Sequence, residues 1–91
     1  MYTQADYQGF WQYPDGKILE INGETWNIYE SDGTLLGSPG LVGYEDDGVV
    51  LRNEYGSSGG GFAYFDENGF LNEYGNVLTY LGDSFDDVPK G

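Results

Sequence analysis

The chain has neither cysteine nor histidine, and these two absences exclude several kinds of chemistry at once. Without cysteine there is no disulfide and no thiolate nucleophile, and without histidine there is no Ser-His or Cys-His pair. Soft metal sites, which need sulfur or imidazole ligands, are excluded for the same reason. The fold of these 91 residues must therefore depend on side-chain packing, and we expect a protein that is not an enzyme and has no cofactor.

Positive charge is scarce as well. Lys17, Arg52 and Lys90 stand against 16 acidic residues, which gives a net charge of −13. Nucleic-acid binding through phosphate contacts needs a basic stripe, so that class is excluded, and docking on an anionic membrane is disfavoured. A charged partner should instead be basic. The simplest interpretation is that the acids keep a tyrosine-rich domain in solution.

Long apolar runs and helical periodicity are also missing. No stretch approaches the roughly 18 apolar residues of a membrane helix, and no window of about 11 residues has helical spacing of apolar side chains. The first ten residues have neither the basic nor the apolar region of a signal peptide. A chain without cysteine is typical of a bacterial cytoplasm or of a Gram-positive surface. We favour an extracytoplasmic bacterial protein whose signal is absent from this sequence.

Glycine and aromatic residues are abundant instead. The chain has 16 glycines, and five of them follow Asp or Asn, as is typical of tight turns. Between these turns lie short runs rich in aromatic and branched side chains, which are typical of strands. We predict strands at residues 8–13, 17–22, 25–30, 34–37 with 41–45, 49–55, 61–66, 70–73 and 77–81.

Short connections throughout the chain predict an all-β protein, an antiparallel up-and-down meander. Closure into a small barrel removes the two unpaired edges of such a sheet. The barrel has eight or nine strands, because Pro39 either separates two strands or bends one long strand. We assign the barrel domain to residues 1–82 and predict that residues 83–91 form an acidic tail that frays.

The start of the chain resembles a family of bacterial barrels. Gly9-Phe10-Trp11 has the pattern Gly-x-Trp, and seven or so hairpin-linked strands follow it. This order is similar to that of the small lipocalin-like, or calycin-type, barrels of bacteria. The resemblance implies an eight-stranded barrel whose base is closed by Gly-x-Trp, with a binding or scaffold role, often within a surface lipoprotein. Arg52 is the candidate for the basic residue that the family has near that base.

Two other segments resemble a different family. TWNIYESDGTL and GFAYFDENGFL are similar to the choline- and glucan-binding cell-wall repeats, in which aromatic residues precede a turn that ends in glycine. That resemblance implies a solenoid of hairpins with choline or carbohydrate bound between the rings of successive repeats. The turn glycines Gly16, Gly33, Gly48 and Gly69 are spaced by 17, 15 and 21 residues, whereas a solenoid has one fixed period. The lipocalin-like interpretation therefore comes first.

Aromatic side chains are the first candidates for a binding site. Flat rings provide a large contact area at a low entropy cost, so they suit a carbohydrate or a small apolar ligand. A purely structural role is the alternative, in which Trp11 and Trp26 fill the core and tyrosines form cross-strand pairs. The ligand-binding candidates are Tyr13, Trp26, Tyr29, Tyr44, Tyr55 and Tyr64.

Acidic turns are the second candidate. Alternate turns of a meander share one end of the barrel, so we expect an acidic rim formed by Asp15, Asp32, Asp47 and Asp66. Such a rim would suit an acidic inhibitor or immunity-type protein that occupies the basic cleft of another protein. The acidic turns complete no calcium-binding loop, and no metal site is predicted. The run 61–66 is apolar on both faces, so we expect a monomer or a weak homodimer.

Overall fold

The computed structural model describes residues 3–83, except for the side chains of residues 58–60. Consecutive strands pair antiparallel and the last strand pairs with the first, so the sheet closes into a barrel. The predicted all-β meander barrel is therefore confirmed, and it has eight strands. The elements are α1 (Gln4–Tyr7), β1 (Gly9–Gln12), β2 (Ile18–Asn22), β3 (Thr25–Tyr29), β4 (Leu35–Glu45), β5 (Gly48–Arg52), β6 (Ser58–Asp66), β7 (Gly69–Asn72) and β8 (Val77–Gly82).

Pro39 bends one strand and does not separate two. β4 is paired with β3 on both sides of it, through Leu36 with Ile28 and Gly40 with Trp26. These pairs are four residues apart on β4 but only two apart on β3, so β4 contains a bulge. Pro39 lies within this bulge, where its missing N–H interrupts no regular ladder. The closed sheet also differs from the linear array of hairpins that the cell-wall repeats imply.

Alternating side chains fill the interior of the barrel. Trp11 and Trp26 face the main core, whereas Phe10 and Tyr29 belong to a smaller cluster on the outer face of the same strands. The predicted strand 49–55 ends earlier, at Arg52, so Tyr55 lies beyond β5 and is 83% exposed. The buried residues of the main core are Tyr7, Trp11, Leu19, Ile21, Val49, Leu51, Ala63, Phe70 and Leu78.

The strands alternate in direction, so the connections divide between two ends of the barrel. We call one of them the loop end, which has four five-residue loops at 13–17, 30–34, 53–57 and 72–76. The other is the helix end, which has α1 and three two-residue turns, at 23–24, 46–47 and 67–68. The first and third connections, with Asp15-Gly16 and Asp32-Gly33, lie together at the loop end, as the meander predicts.

Gly9 allows the barrel to close between β1 and β8. Its φ is 115°, and a Cβ there would lie 2.8 Å from Cε1 of Tyr80 and 2.9 Å from the Gly82 carbonyl oxygen. A larger residue would push the two strands apart at this point. Trp11 lies two residues further along β1 and is only 6% exposed. Gly-x-Trp therefore lies in the first strand at the seam of an eight-stranded barrel, which is consistent with a calycin-like fold.

The sequence does not predict α1, because four residues are too few to show a helical repeat. Within residues 3–83 no helix is long and apolar enough to cross a membrane. Of the predicted tail, residues 84–91 lie outside the described residues.

Candidate functional site at the helix end

Helix α1 covers the helix end of the barrel, and Tyr7 anchors it. The Tyr7 side chain is 3% exposed, and its ring centroid lies 5.2 Å from that of Phe65 and 5.8 Å from that of Phe70. The backbone N–H of Thr3 donates to Oδ2 of Asp6 at 2.7 Å, which satisfies a donor at the start of the helix. Because tertiary packing and this cap both hold it, a single helical turn is stable here.

Gln8 connects the end of the helix to β4 and to the turn between β2 and β3. Its Nε2 donates to the Tyr44 hydroxyl at 2.8 Å, and its Oε1 accepts from the backbone N–H of Gly23 at 2.6 Å. The Tyr44 hydroxyl in turn donates to the Gly23 carbonyl. A second link is made by Trp11, whose Nε1 donates to the Tyr7 carbonyl at 3.1 Å. The hydroxyl of Tyr44, a predicted ligand-binding residue, is thus used in holding the helix in place.

Two open crevices lie on either side of α1. The first has a volume of about 380 Å³ and extends towards Phe10 and Glu20 on the outside of the barrel. The second has a volume of about 370 Å³ and reaches Trp11. Both are large enough for a small ligand. The second crevice, which we call the helix crevice, is lined by Ala5, Asp6, Gln8, Trp11, Phe65, Tyr80 and Asp83.

The helix crevice combines aromatic rings with carboxylates. The Trp11 ring centroid lies 5.0 Å from that of Tyr80 and 5.8 Å from that of Phe65. Tyr80 is 48% exposed, so part of its ring faces solvent, and its hydroxyl donates to Oδ1 of Asp83. Asp6 lies on the helix side of the same crevice. Aromatic faces beside carboxylates favour a ligand with a positive charge.

The charge of the helix end has the same sign throughout its described residues. Lys17 lies in the first loop and Arg52 ends β5, so both described cations are at the loop end. The resulting field at the helix end is negative and attracts cations. Its acidic residues are Asp6, Glu24, Glu45, Asp46, Asp47, Asp66, Glu67 and Asp83.

The predicted acidic rim is wrong as a single rim. Asp15 and Asp32 lie at the loop end, whereas Asp47 and Asp66 lie at the helix end. The prediction would have required two strands between Asp32 and Asp47, with a break at Pro39. Because β4 is continuous, only one strand separates them, and the later turns move to the opposite end.

Besides Tyr44, two of the predicted ligand-binding residues pack against the main core. Tyr13 lies at the loop end, and burial, together with the charge of Asp15, raises its pKa to about 12. The Trp26 ring covers Gly40, and its Nε1 donates to the Arg52 carbonyl at 2.7 Å. Trp26 therefore joins β3 to β5 across the β4 bulge. This is the structural role that Sequence analysis gives as the alternative to ligand binding.

The remaining three candidates lie outside the barrel interior. Tyr29 donates its hydroxyl to Oε1 of Glu20 at 2.7 Å, and burial followed by this hydrogen bond raises the pKa of Tyr29 to about 12. Tyr64 stacks on Phe62 with ring centroids 6.1 Å apart. Tyr55 is on a loop. The six predicted residues are thus not brought together, and Tyr44 is the one that the structure places against Tyr7 and Gln8.

The side chains of the helix crevice are mostly ones that the sequence does not single out. Gln8 and Tyr80 belong to no motif, and Phe65 lies in GFAYFDENGFL but is not among the candidates; only the folded barrel brings the three beside α1. Arg52, the candidate for a basic residue at the barrel base, is exposed and directs its Nε towards Gly43 on the outer face. In the part of the chain that is described, no three His, Cys, Asp or Glu side chains are arranged to hold a metal ion. Comparisons with protein-family models, curated proteins and solved structures found no match to this chain.

Proposed function

We propose that the protein is a non-catalytic binding domain of the lipocalin-like kind, from a bacterial surface or secreted protein. Its binding site is the helix crevice. The observation that carries the proposal is that one crevice holds Trp11, Phe65 and Tyr80 together with Asp6 and Asp83. The barrel interior is filled by the core, so a ligand binds beside the helix and not inside the sheet.

The chemistry of the helix crevice favours a small organic cation. A quaternary or primary ammonium group is attracted by aromatic faces and by carboxylates, and both act more strongly where water is partly displaced. No described residue at this end carries a positive charge that would oppose such a ligand. A volume of about 370 Å³ suits a molecule with a few carbon atoms beside its charged group.

Choline is a suitable probe, and 3,3-dimethyl-1-butanol is its matched control because it has the same shape without the charge. Replacing Trp26 by Phe leaves Trp11, which lines the crevice, as the single indole of the chain. Titration of W26F with choline should give a saturable change in fluorescence, with a Kd on the order of 1 mM or lower, equivalent to about 4 kcal/mol. The neutral alcohol should bind several-fold more weakly.

Two variants locate the binding site. Asp83→Asn removes a carboxylate from the crevice, whereas Asp46→Asn removes one charge from an exposed turn at the same end. We expect the first to weaken choline binding by about tenfold and the second to have little effect, because exposed charges at a distance are screened by salt. Equal affinity for the neutral alcohol, or no saturable signal, would contradict the proposal.

A further inference from the structure

The loop end is built four times from the same turn. In each loop the first residue donates its N–H to the fifth carbonyl, and the fourth residue donates its N–H to the first carbonyl, at 2.8–3.0 Å. The fourth residue is always glycine, with φ between 83° and 99°. The sequences of the four loops are YPDGK, ESDGT, NEYGS and NEYGN.

The last two loops share Asn-Glu-Tyr-Gly and an additional set of hydrogen bonds. Oδ1 of Asn53 accepts from the N–H of Tyr55 and of Ser57 at 2.9 and 3.0 Å. Oδ1 of Asn72 accepts from the corresponding residues, Tyr74 and Asn76, both at 3.0 Å. The backbone that carries each tyrosine is therefore fixed before any partner binds.

These two tyrosines are the most exposed large apolar side chains of the described chain. Tyr55 is 83% exposed and Tyr74 is 82% exposed. Their hairpins are adjacent, because β6 of the first pairs with β7 of the second. The Glu73 carboxylate also occupies the space above Gly61 of β6, so the second loop is in contact with the first hairpin. The barrel thus presents two identical Glu-Tyr pairs on neighbouring loops of one surface.

We propose that loops 53–57 and 72–76 form a docking surface for an arginine-rich protein segment. Rigid, exposed tyrosines are typical anchors of protein-binding surfaces, because a ring gives a large contact at a low entropy cost. One face of the guanidinium group of arginine stacks on such a ring, while the N–H groups at its edge can donate to the adjacent glutamate. Two Glu-Tyr pairs provide two such positions.

The charges around the loops agree with a basic partner. The only ion pair between described residues joins Lys17 to Asp15, at 3.3 Å, so that cation is already paired. Arg52 directs its Nε towards Gly43 of β4, which is on the side of β5 opposite to β6. The net charge of −13 adds a long-range attraction for a basic segment and opposes nucleic acid. This surface is at the opposite end from the helix crevice and does not depend on the function proposed above.

The test compares oligoarginine with oligolysine of equal length, measured by calorimetry at physiological ionic strength. Stacking favours arginine, so we expect oligoarginine to bind several-fold more tightly than oligolysine. The double variant Y55A/Y74A should bind oligoarginine about tenfold more weakly, because each exposed cation–π contact is modest. Y55F/Y74F keeps both rings and should bind within about twofold of the wild type.

Charge variants distinguish binding at this surface from a general electrostatic attraction to the acidic protein. E54Q/E73Q and D46N/E67Q each remove two negative charges, the first beside the tyrosines and the second at the helix end. We expect only the first to weaken binding clearly. Equal losses in both variants, unchanged binding by Y55A/Y74A or no binding of oligoarginine would each overturn the proposal. Because both tyrosines are exposed, Y55A/Y74A should keep the wild-type Tm, which confirms that the variant is folded.

Discussion

The two ends of the barrel are held together by different kinds of interaction. At the helix end these interactions are made by side chains: Tyr7 is inserted among the core rings, and Gln8 and Tyr44 bind the turn at Gly23. At the loop end they are made by the backbone, which forms the same two hydrogen bonds in every loop. Tyrosine accordingly has opposite roles, since Tyr7 is 3% exposed and Tyr74 is 82% exposed. The element that carries the ring determines its role: α1 places Tyr7 in the core, whereas the loop 72–76 holds Tyr74 in solvent.

The largest effect should come from removing the buried ring of the helix end. Tyr7→Ala leaves a cavity between Phe65 and Phe70 and removes the side chain that anchors α1. Aromatic-to-alanine changes in a core cost about 3–5 kcal/mol. Urea unfolding should show this loss in the free energy of unfolding, and Trp11, which bonds to the Tyr7 backbone, should report a more solvated environment in fluorescence.

Tyr74→Ala is the matched control, because it is the same substitution at an exposed position. It should change the free energy of unfolding by no more than about 0.5 kcal/mol. If the two variants lost similar amounts of stability, it would be wrong that side chains hold the helix end whereas the backbone holds the loop end.

An intermediate effect should come from the loop glycines. Gly56 has a φ of 83° and Gly75 a φ of 84°, and no atom lies within 4 Å of a Cβ built at either position. Gly56→Ala and Gly75→Ala should therefore cost only the backbone strain of a left-handed conformation, about 1–2 kcal/mol each. Equal losses in the two variants, measured by urea unfolding, would confirm that the two loops are energetically the same turn.

Gly43→Ala is the control for the loop glycines. Gly43 lies in β4 without a positive φ, and its Cβ would meet neighbours at ordinary distances of 3.7–3.9 Å. This variant should be close to wild type or slightly more stable. A loss as large as that of Gly56→Ala would show that strain in the turn is not the cause.

Much of the fold can be predicted from the sequence, because turns and strands are local features. Asp-Gly and Asn-Gly pairs locate the turns, and the two-residue period locates the inner face, as with Trp26 and Ile28. The ends of the barrel are harder to assign, because one uncertain strand reverses every later turn. Pro39 is such a position: its bulge keeps β4 whole and moves Asp47 and Asp66 away from Asp15.

The candidate site was less predictable, for two physical reasons. The helix crevice brings together residues 5–11, 65 and 80–83, and only tertiary packing determines that these segments meet. Gln8 is a single polar residue before a strand, and nothing in its neighbours indicates its three hydrogen bonds. The loop surface did have a signal, since Asn-Glu-Tyr-Gly occurs twice, but Tyr74 was not among the candidates.

The smallest effect should be a pH dependence of stability that the first two loops of the loop end have and the last two lack. In the first loop the N–H of Lys17 binds the Asp15 carboxylate and lowers its pKa. In the second, hydrogen bonds from Thr34 lower the pKa of Asp32. Asn53 and Asn72 accept the corresponding bonds in the other two loops, and an amide does not titrate.

A carboxyl whose pKa is lowered by folding stabilises the protein above its ordinary value of 3.8, and this contribution is lost as pH falls through the lower folded-state pKa. In D15N/D32N an amide oxygen replaces each carboxylate as acceptor, so the variant lacks this pH-dependent contribution. All other acids are common to both proteins. The difference in free energy of unfolding between wild type and variant should therefore shrink as pH is lowered below 3.8. If this difference stayed constant below pH 3.8, the ionised carboxylates of Asp15 and Asp32 would stabilise their loops no more than neutral side chains do.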